Sequence, residues 1–146
     1  MLSNIVTSLP EIKNEPIYQY ESGSQSRENL QKALIELKST KADYGFWING
    51  KEVKTGKLHK MAPPHETSFD LGNFHKGDQS HVNDAVNAAL KAKHDWANMP
   101  WEDRAGIFLK AADLIAGPYR YKMNAATMLA QSKNAYQSEI DAVCEL

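Results

Sequence analysis

Only one stretch of this chain carries a strong hairpin signal, and it stands among segments patterned for helices. Asn49-Gly50 tolerates the positive φ that both central positions of a type I′ turn require. Ahead of it Tyr44, Phe46 and Ile48 alternate with Gly45 and Trp47, which predicts an incoming strand with an aromatic face. From Lys57 to Lys76 the chain reads as loop and short strand, broken at Pro63-Pro64, with Phe69, Leu71 and Phe74 in a second extended segment. A lone hairpin is marginal in water. The sheet is therefore expected to lean on something else.

Helical stripes fill most of the rest. In "SQSRENLQKALIELKS", Leu30, Ala33, Leu34 and Leu37 fall at i, i+3, i+4 and i+7, with Ser24 or Ser26 as N-cap and Glu28 in the first turn. Val82, Ala85, Val86, Ala89 and Leu90 form a second stripe, with Ser80 as its candidate cap and Pro100 beyond its end. Trp101, Ala105, Phe108, Leu109, Ala112 and Ile115 form a third, closed by Gly117-Pro118, a C-cap followed by an N1 proline. A further helix is expected from Pro118 to about Gln131 and a last one from near Asn134. On that last helix Ile140, Val143 and Cys144 share a face, with Glu139, Asp141 and Glu145 around the rest, and no Gly, Pro or basic last turn closes it before Leu146. Residues 1–23, interrupted by Pro10 and Pro16, are expected to be an extended arm. Residues 24–146 are expected to be one helical and hairpin unit, incomplete at its C-terminus. The expected class is a mostly α-helical segment with one N-terminal β-hairpin and a short extra strand.

Charge and composition exclude several functions. A net charge of −1 with 24% charged residues leaves no basic excess for displacing counterions from nucleic acid. No apolar run approaches the ~20 residues of a membrane span. "MLSNIVTSLP" has neither the basic start of a secretory signal nor the arginines of a mitochondrial presequence. One cysteine rules out an internal disulfide framework and fits a reducing compartment. The cytoplasm is the expected location.

No complete catalytic constellation emerges from the residues. Cys144 is a candidate nucleophile, weighed against a small buried hydrophobe beside Ile140 and Val143. His59, His65, His75, His81 and His94 form no H-x-x-x-H, so zinc is not expected, and they read as surface residues. No G-x-G-x-x-G or G-x-x-x-x-G-K-[ST] is present to cradle phosphates. Asp141 and Glu145, four apart, suit a metal or acid/base pair or, more plainly, a solvated face. Trp47, Trp96 and Trp101 could stack on a ligand, but helix and strand packing accounts for them more simply.

The order of elements carries a resemblance. "FWINGKEV", "MAPPHETSFDLGNF" and "VNDAVNAALKAKHDWANMPWEDRAGIFLKAADLIAG" resemble the N-terminal part of the aldehyde dehydrogenase superfamily. "NEP" at Asn14 to Pro16, "LQKAL" at Leu30 to Leu34, "RAGIFLKAADLIAGPYR" and "QSEIDAVCEL" are similar to its pyrroline-carboxylate branch, which oxidises glutamate semialdehyde in proline breakdown. The resemblance spans about residues 14 to 146. It implies an α/β fold in the whole enzyme, of which this chain is an N-terminal piece of the NAD-binding domain. It also implies NAD as cofactor and a homo-oligomer in which the remainder of the same polypeptide partners this segment. A cysteine thiohemiacetal and thioester would form on residues beyond Leu146, with a glutamate activating water and an asparagine and backbone amides holding the oxyanion. Cys144 does not match the catalytic cysteine motif. Within the segment, the resemblance marks Glu145 as a substrate-binding residue, its carboxylate facing the amino group of the entering semialdehyde. The compartment it implies in a eukaryote is the mitochondrial matrix. A helical interaction module without catalysis, or another branch of the superfamily, are the alternatives. Two stretches depart from the family pattern. Gln131-Ser132-Lys133 stands where a glycine usually precedes the lysine, so the turn there is expected to be shaped differently, and "PPHE" at Pro63 to Glu66 replaces the usual proline-then-Asn/Thr.

Overall fold

The computed structural model describes residue 11 and residues 13–145. Most of the expected arm's first half, and its last helix's end at Leu146, lie outside the described residues. In chain order the elements are α1 (Gln25–Ser39), β1 (Ala42–Tyr44), β2 (Phe46–Ile48), β3 (Lys51–Val53), β4 (Leu58–Met61), β5 (Gly72–His75), α2 (Gln79–Asn98), α3 (Trp101–Ala116), α4 (Arg120–Gln131) and α5 (Ala135–Glu139). A π-helical turn, Ile140–Cys144, continues α5.

The core sits where α1 crosses α4 under the end of the arm. Tyr20, Leu30 and Ala125 are buried there, with Ala33, Leu34, Leu37, Tyr121, Met128 and Ala135 packed around them. The stripe on α1 thus finds its cover, and burying a Leu of this kind contributes about 1.5–3 kcal/mol. Ser24 caps α1, its hydroxyl accepting the Arg27 N–H at 3.3 Å.

The hairpin forms as its turn demands: Asn49 and Gly50 both take positive φ, at 52° and 71°, and Phe46 to Ile48 pairs antiparallel with Lys51 to Val53. The strand leading into it is not continuous, however. At Gly45 the chain leaves one sheet for another: β1 pairs in parallel with β5, which pairs antiparallel with β4, and the hairpin stands apart. Parallel pairing between strands 30 residues apart leaves no local pattern to read. It depends on Gly72, at φ 113°, where a Cβ would lie 2.1 Å from the Ala42 carbonyl oxygen. His75 is also not a surface residue. It is 6% exposed because both ring nitrogens are satisfied: Nδ1 accepts the Gly56 N–H at 2.9 Å, leaving Nε2 to donate to Asp43 at 3.0 Å.

Two helix boundaries fall differently from the sequence expectation. Asp78, not Ser80, caps α2, its carboxylate accepting the Ser80 N–H at 3.1 Å; a carboxylate competes well for helix N-terminal amides. Gly117 does cap α3, but Pro118 lies in the turn after it and α4 starts only at Arg120.

Helices α2 and α3 have their expected stripes and contain no buried residue. Val86, Leu90, Ile107 and Phe108 are each at least half exposed. Trp47 and Trp101 are not packed, at 75% and 57% exposed, whereas Trp96 of α2 lies edge-on to Phe108 of α3 with ring centres 6.4 Å apart. Among the described residues no helix is long and apolar enough to cross a membrane.

Candidate functional site

A buried glutamate organises the polar part of the structure. Glu139 has the sequence context of a solvated helix residue, yet it is fully enclosed, as is Asn124, and Arg120 is 2% exposed. Two pieces of chain converge on its carboxylate. From the arm, the Tyr18 N–H donates to Oε1 at 2.9 Å and the Tyr20 hydroxyl donates to Oε2 at 2.5 Å. From α4, Arg120 donates through both Nε and Nη2 to Oε1, and Asn124 Nδ2 donates to Oε2 at 2.6 Å. Arg120 also holds the arm directly, through the Glu15 carboxylate and the Pro16 carbonyl, and its guanidinium lies 3.8 Å from the centre of the Tyr18 ring. A buried carboxylate costs several kcal/mol to desolvate unless charge and hydrogen bonds offset it, and here both oxygens are engaged.

The electrostatics are set by this enclosure. Burial pushes the Tyr20 phenol up, and the neighbouring Glu139 carboxylate adds to the rise, so Tyr20 stays a neutral donor. Burial also acts to raise Glu139, but Arg120, Tyr20, the Tyr18 amide and Asn124 outweigh it and hold the carboxyl below the usual range. Asn124 Oδ1 and the Ser138 hydroxyl are buried without a partner among the described residues.

The π-turn begins at this clamp. Ala142 and Val143 in the turn are buried at 6% and 3%, and Glu145 just beyond it is exposed. Cys144 is partly covered; burial, then the charge of Glu139, pushes its thiol up, the opposite of what activates a nucleophile. Asp141 and Glu145 do not combine into a site, since Asp141 pairs with Lys133. Among the described residues no group of three His, Cys, Asp or Glu could hold a metal.

The two departures noted in the sequence meet in space. Ser132 adopts the left-handed conformation, φ 58°, that glycine would take. The Ser132 hydroxyl accepts the His65 N–H at 3.1 Å and lies 2.8 Å from His65 Nδ1, contacts that glycine lacks.

The N-terminus of α2 does not suit a dinucleotide. Its phosphates need free amides at a helix N-terminus after a strand. Helix α2 is the long helix after β5, and its N-terminus is filled by Asp78. Ser80, Lys57 and His81 hold that carboxyl well below its usual range, so a phosphate would meet a fixed negative charge.

A small mixed sheet, a separate hairpin, and helices tied by a buried arginine–glutamate clamp make this an α/β segment. The chain belongs to the aldehyde dehydrogenase family, whose model matches residues 47–144. It is 49% identical over 139 residues to the delta-1-pyrroline-5-carboxylate dehydrogenase of Agaricus bisporus, covering 94% of this chain and 26% of that protein. To the mitochondrial delta-1-pyrroline-5-carboxylate dehydrogenase of Homo sapiens it is 39% identical over 140 residues, covering 96% of this chain and 25% of that one. The crystal structure of the Mycobacterium tuberculosis delta-pyrroline-5-carboxylate dehydrogenase bound with NAD superposes with a TM-score of 0.92 at 41% identity, over 97% of this chain and 27% of that one. The chain thus spans about a quarter of the length of the relatives it matches. Sequence reasoning marks Glu145 and misses the clamp. The "NEP" of the arm and the arginine of "GPYR" are its only visible signals.

Proposed function

We propose that this segment forms part of an NAD-dependent dehydrogenase that oxidises L-glutamate gamma-semialdehyde to glutamate in proline degradation. The observation that carries the reading is the match, over nearly the whole chain and in three dimensions, to enzymes named for that reaction. NAD would accept the hydride in the intact enzyme, on residues outside this segment, as would the catalytic cysteine and the water-activating glutamate. What this segment supplies is framework and one substrate contact. The bare stripes of α2 and α3 suit docking on the remainder of the same polypeptide and on a second copy in a homo-oligomer. The carboxylate of Glu145, exposed beyond the π-turn, would pair with the amino group of the entering semialdehyde. In a eukaryotic source the compartment is the mitochondrial matrix, in keeping with relatives named as mitochondrial, and otherwise the cytoplasm.

The test is steady-state NADH formation by the intact protein with glutamate semialdehyde and with propanal. The semialdehyde should be preferred, and Glu145→Ala should lower kcat/KM for it by at least tenfold more than for propanal. Equal losses on both aldehydes remove the substrate role of Glu145. Preference for an unrelated aldehyde moves the protein to another branch of the family.

A further inference from the structure

Glu139 and Glu145 lie six residues apart, one sealed and one open, with the π-turn between them. A π-turn inserts an extra residue into the helical repeat, so the residues beyond it are rotated by about one residue step, roughly 100°, from where an α-helix would put them. Such turns are uncommon and need anchors. Within the turn itself the anchor is apolar: Ala142 and Val143 are buried. On the N-terminal side it is the Glu139 carboxylate, the last side chain of α5, gripped by Tyr18, Tyr20, Arg120 and Asn124.

We propose that Glu139 is a positioning residue: clamped between the arm and α4, it fixes where the π-turn starts and hence the direction in which Glu145 is presented to substrate. This rests on the reading of Glu145 as the contact for the substrate's amino group. Tyr18 and Tyr20, over a hundred residues away in sequence, thereby bear on substrate selection without touching substrate. Asn124 and Arg120 do the same from α4. If the clamp loosens, the turn can relax towards ordinary α-helical geometry, and Glu145 swings off its target while the chemistry elsewhere is untouched. Misplacement by about 1 Å is enough to cost up to 10²-fold in rate.

The experiment uses the intact enzyme and the same two aldehydes. Glu139→Gln should lower kcat/KM for glutamate semialdehyde about tenfold more than for propanal, with the excess in KM. In a Glu145→Ala background that excess should vanish, since nothing is left to position. Tyr20→Phe removes a single hydroxyl and preserves packing; it should show the same selective loss at two- to fivefold, and it carries the test should Glu139→Gln fail to fold. Equal loss on both aldehydes, no loss, or a selective loss that persists in the Glu145→Ala background overturns the proposal. Where Glu145→Ala alone is selective and the clamp variants are not, only the positioning role fails. Where Glu145→Ala is itself unselective, the substrate reading fails first.

Discussion

Helices α1 and α3 carry apolar stripes of the same spacing, and their fates differ. Leu30 on α1 is 4% exposed, while Leu109 and Phe108 on α3 are 48% and 67% exposed. Helix propensity does not separate them, for both form. What separates them is what lies opposite. Across from α1 stands α4, brought there by the arm and locked by Arg120 and Glu139; α3 meets Trp96 of α2 edge-on at Phe108, and Phe108 and Leu109 still stay about half or more exposed. An amphipathic period specifies that a face must be covered, and leaves open by what.

The strongest way to break that comparison is to attack the lock. Arg120→Ala leaves Glu139 buried with its principal counter-charge gone, and should destabilise the intact protein by about 3–5 kcal/mol in chemical denaturation. A loss under about 1 kcal/mol would show that water enters and that the clamp is not a core. Next comes the bare face. If α3 docks on the remainder of the enzyme, Phe108→Ala should cost about 3 kcal/mol or more in the intact protein. An effect within about 0.5 kcal/mol, as at an ordinary surface position, would leave that face open to another partner.

Acidity gives a smaller, graded effect. The folded carboxyl of Glu139 lies below its ordinary 4.5. Its contribution is therefore full above that value and is lost as pH falls through the lower folded value. Tyr20 works in the opposite sense. Its folded phenol lies above the ordinary 10.0, so its contribution is full below pH 10 and is lost as pH rises beyond it. Stability measured against pH should fall off at both ends. Tyr20→Phe should remove the alkaline limb, and Glu139→Gln should flatten the acid one. The smallest effect belongs to Ser132. Ser132→Gly relieves a left-handed residue worth up to about 1 kcal/mol and gives up hydrogen bonds to His65 worth about the same. The change in Tm should be close to zero, and Ser132→Ala, which gains nothing and loses the hydroxyl, should be the less stable of the two.

Much of the local structure is legible in the residues. The caps at Ser24 and Asn134, the stripe of α1, and the turn at Asn49-Gly50 obey rules that act within four or five positions. Asp78 and Ser80 are both good caps two residues apart, and only the geometry shows which carboxylate or hydroxyl reaches the amides. The clamp is not legible, because Glu139, among Asp141 and Glu145, has the composition of a solvated face. The partners that make it worth burying lie 15 to 121 residues away. The parallel pairing of β1 with β5 and the change of sheet at Gly45 are hidden for the same reason. Likewise, the departures at Ser132 and His65 look independent until the fold sets one against the other.

By itself, then, the sequence determined which segments become helix or turn, and through its resemblance which family they belong to, because dihedral preferences, capping and periodicity operate between near neighbours. Tertiary structure alone decided which stripe is covered, which glutamate is sealed and which is offered to solvent. Desolvation of a charge is tolerable only where distant groups arrive together, and no local pattern records their arrival.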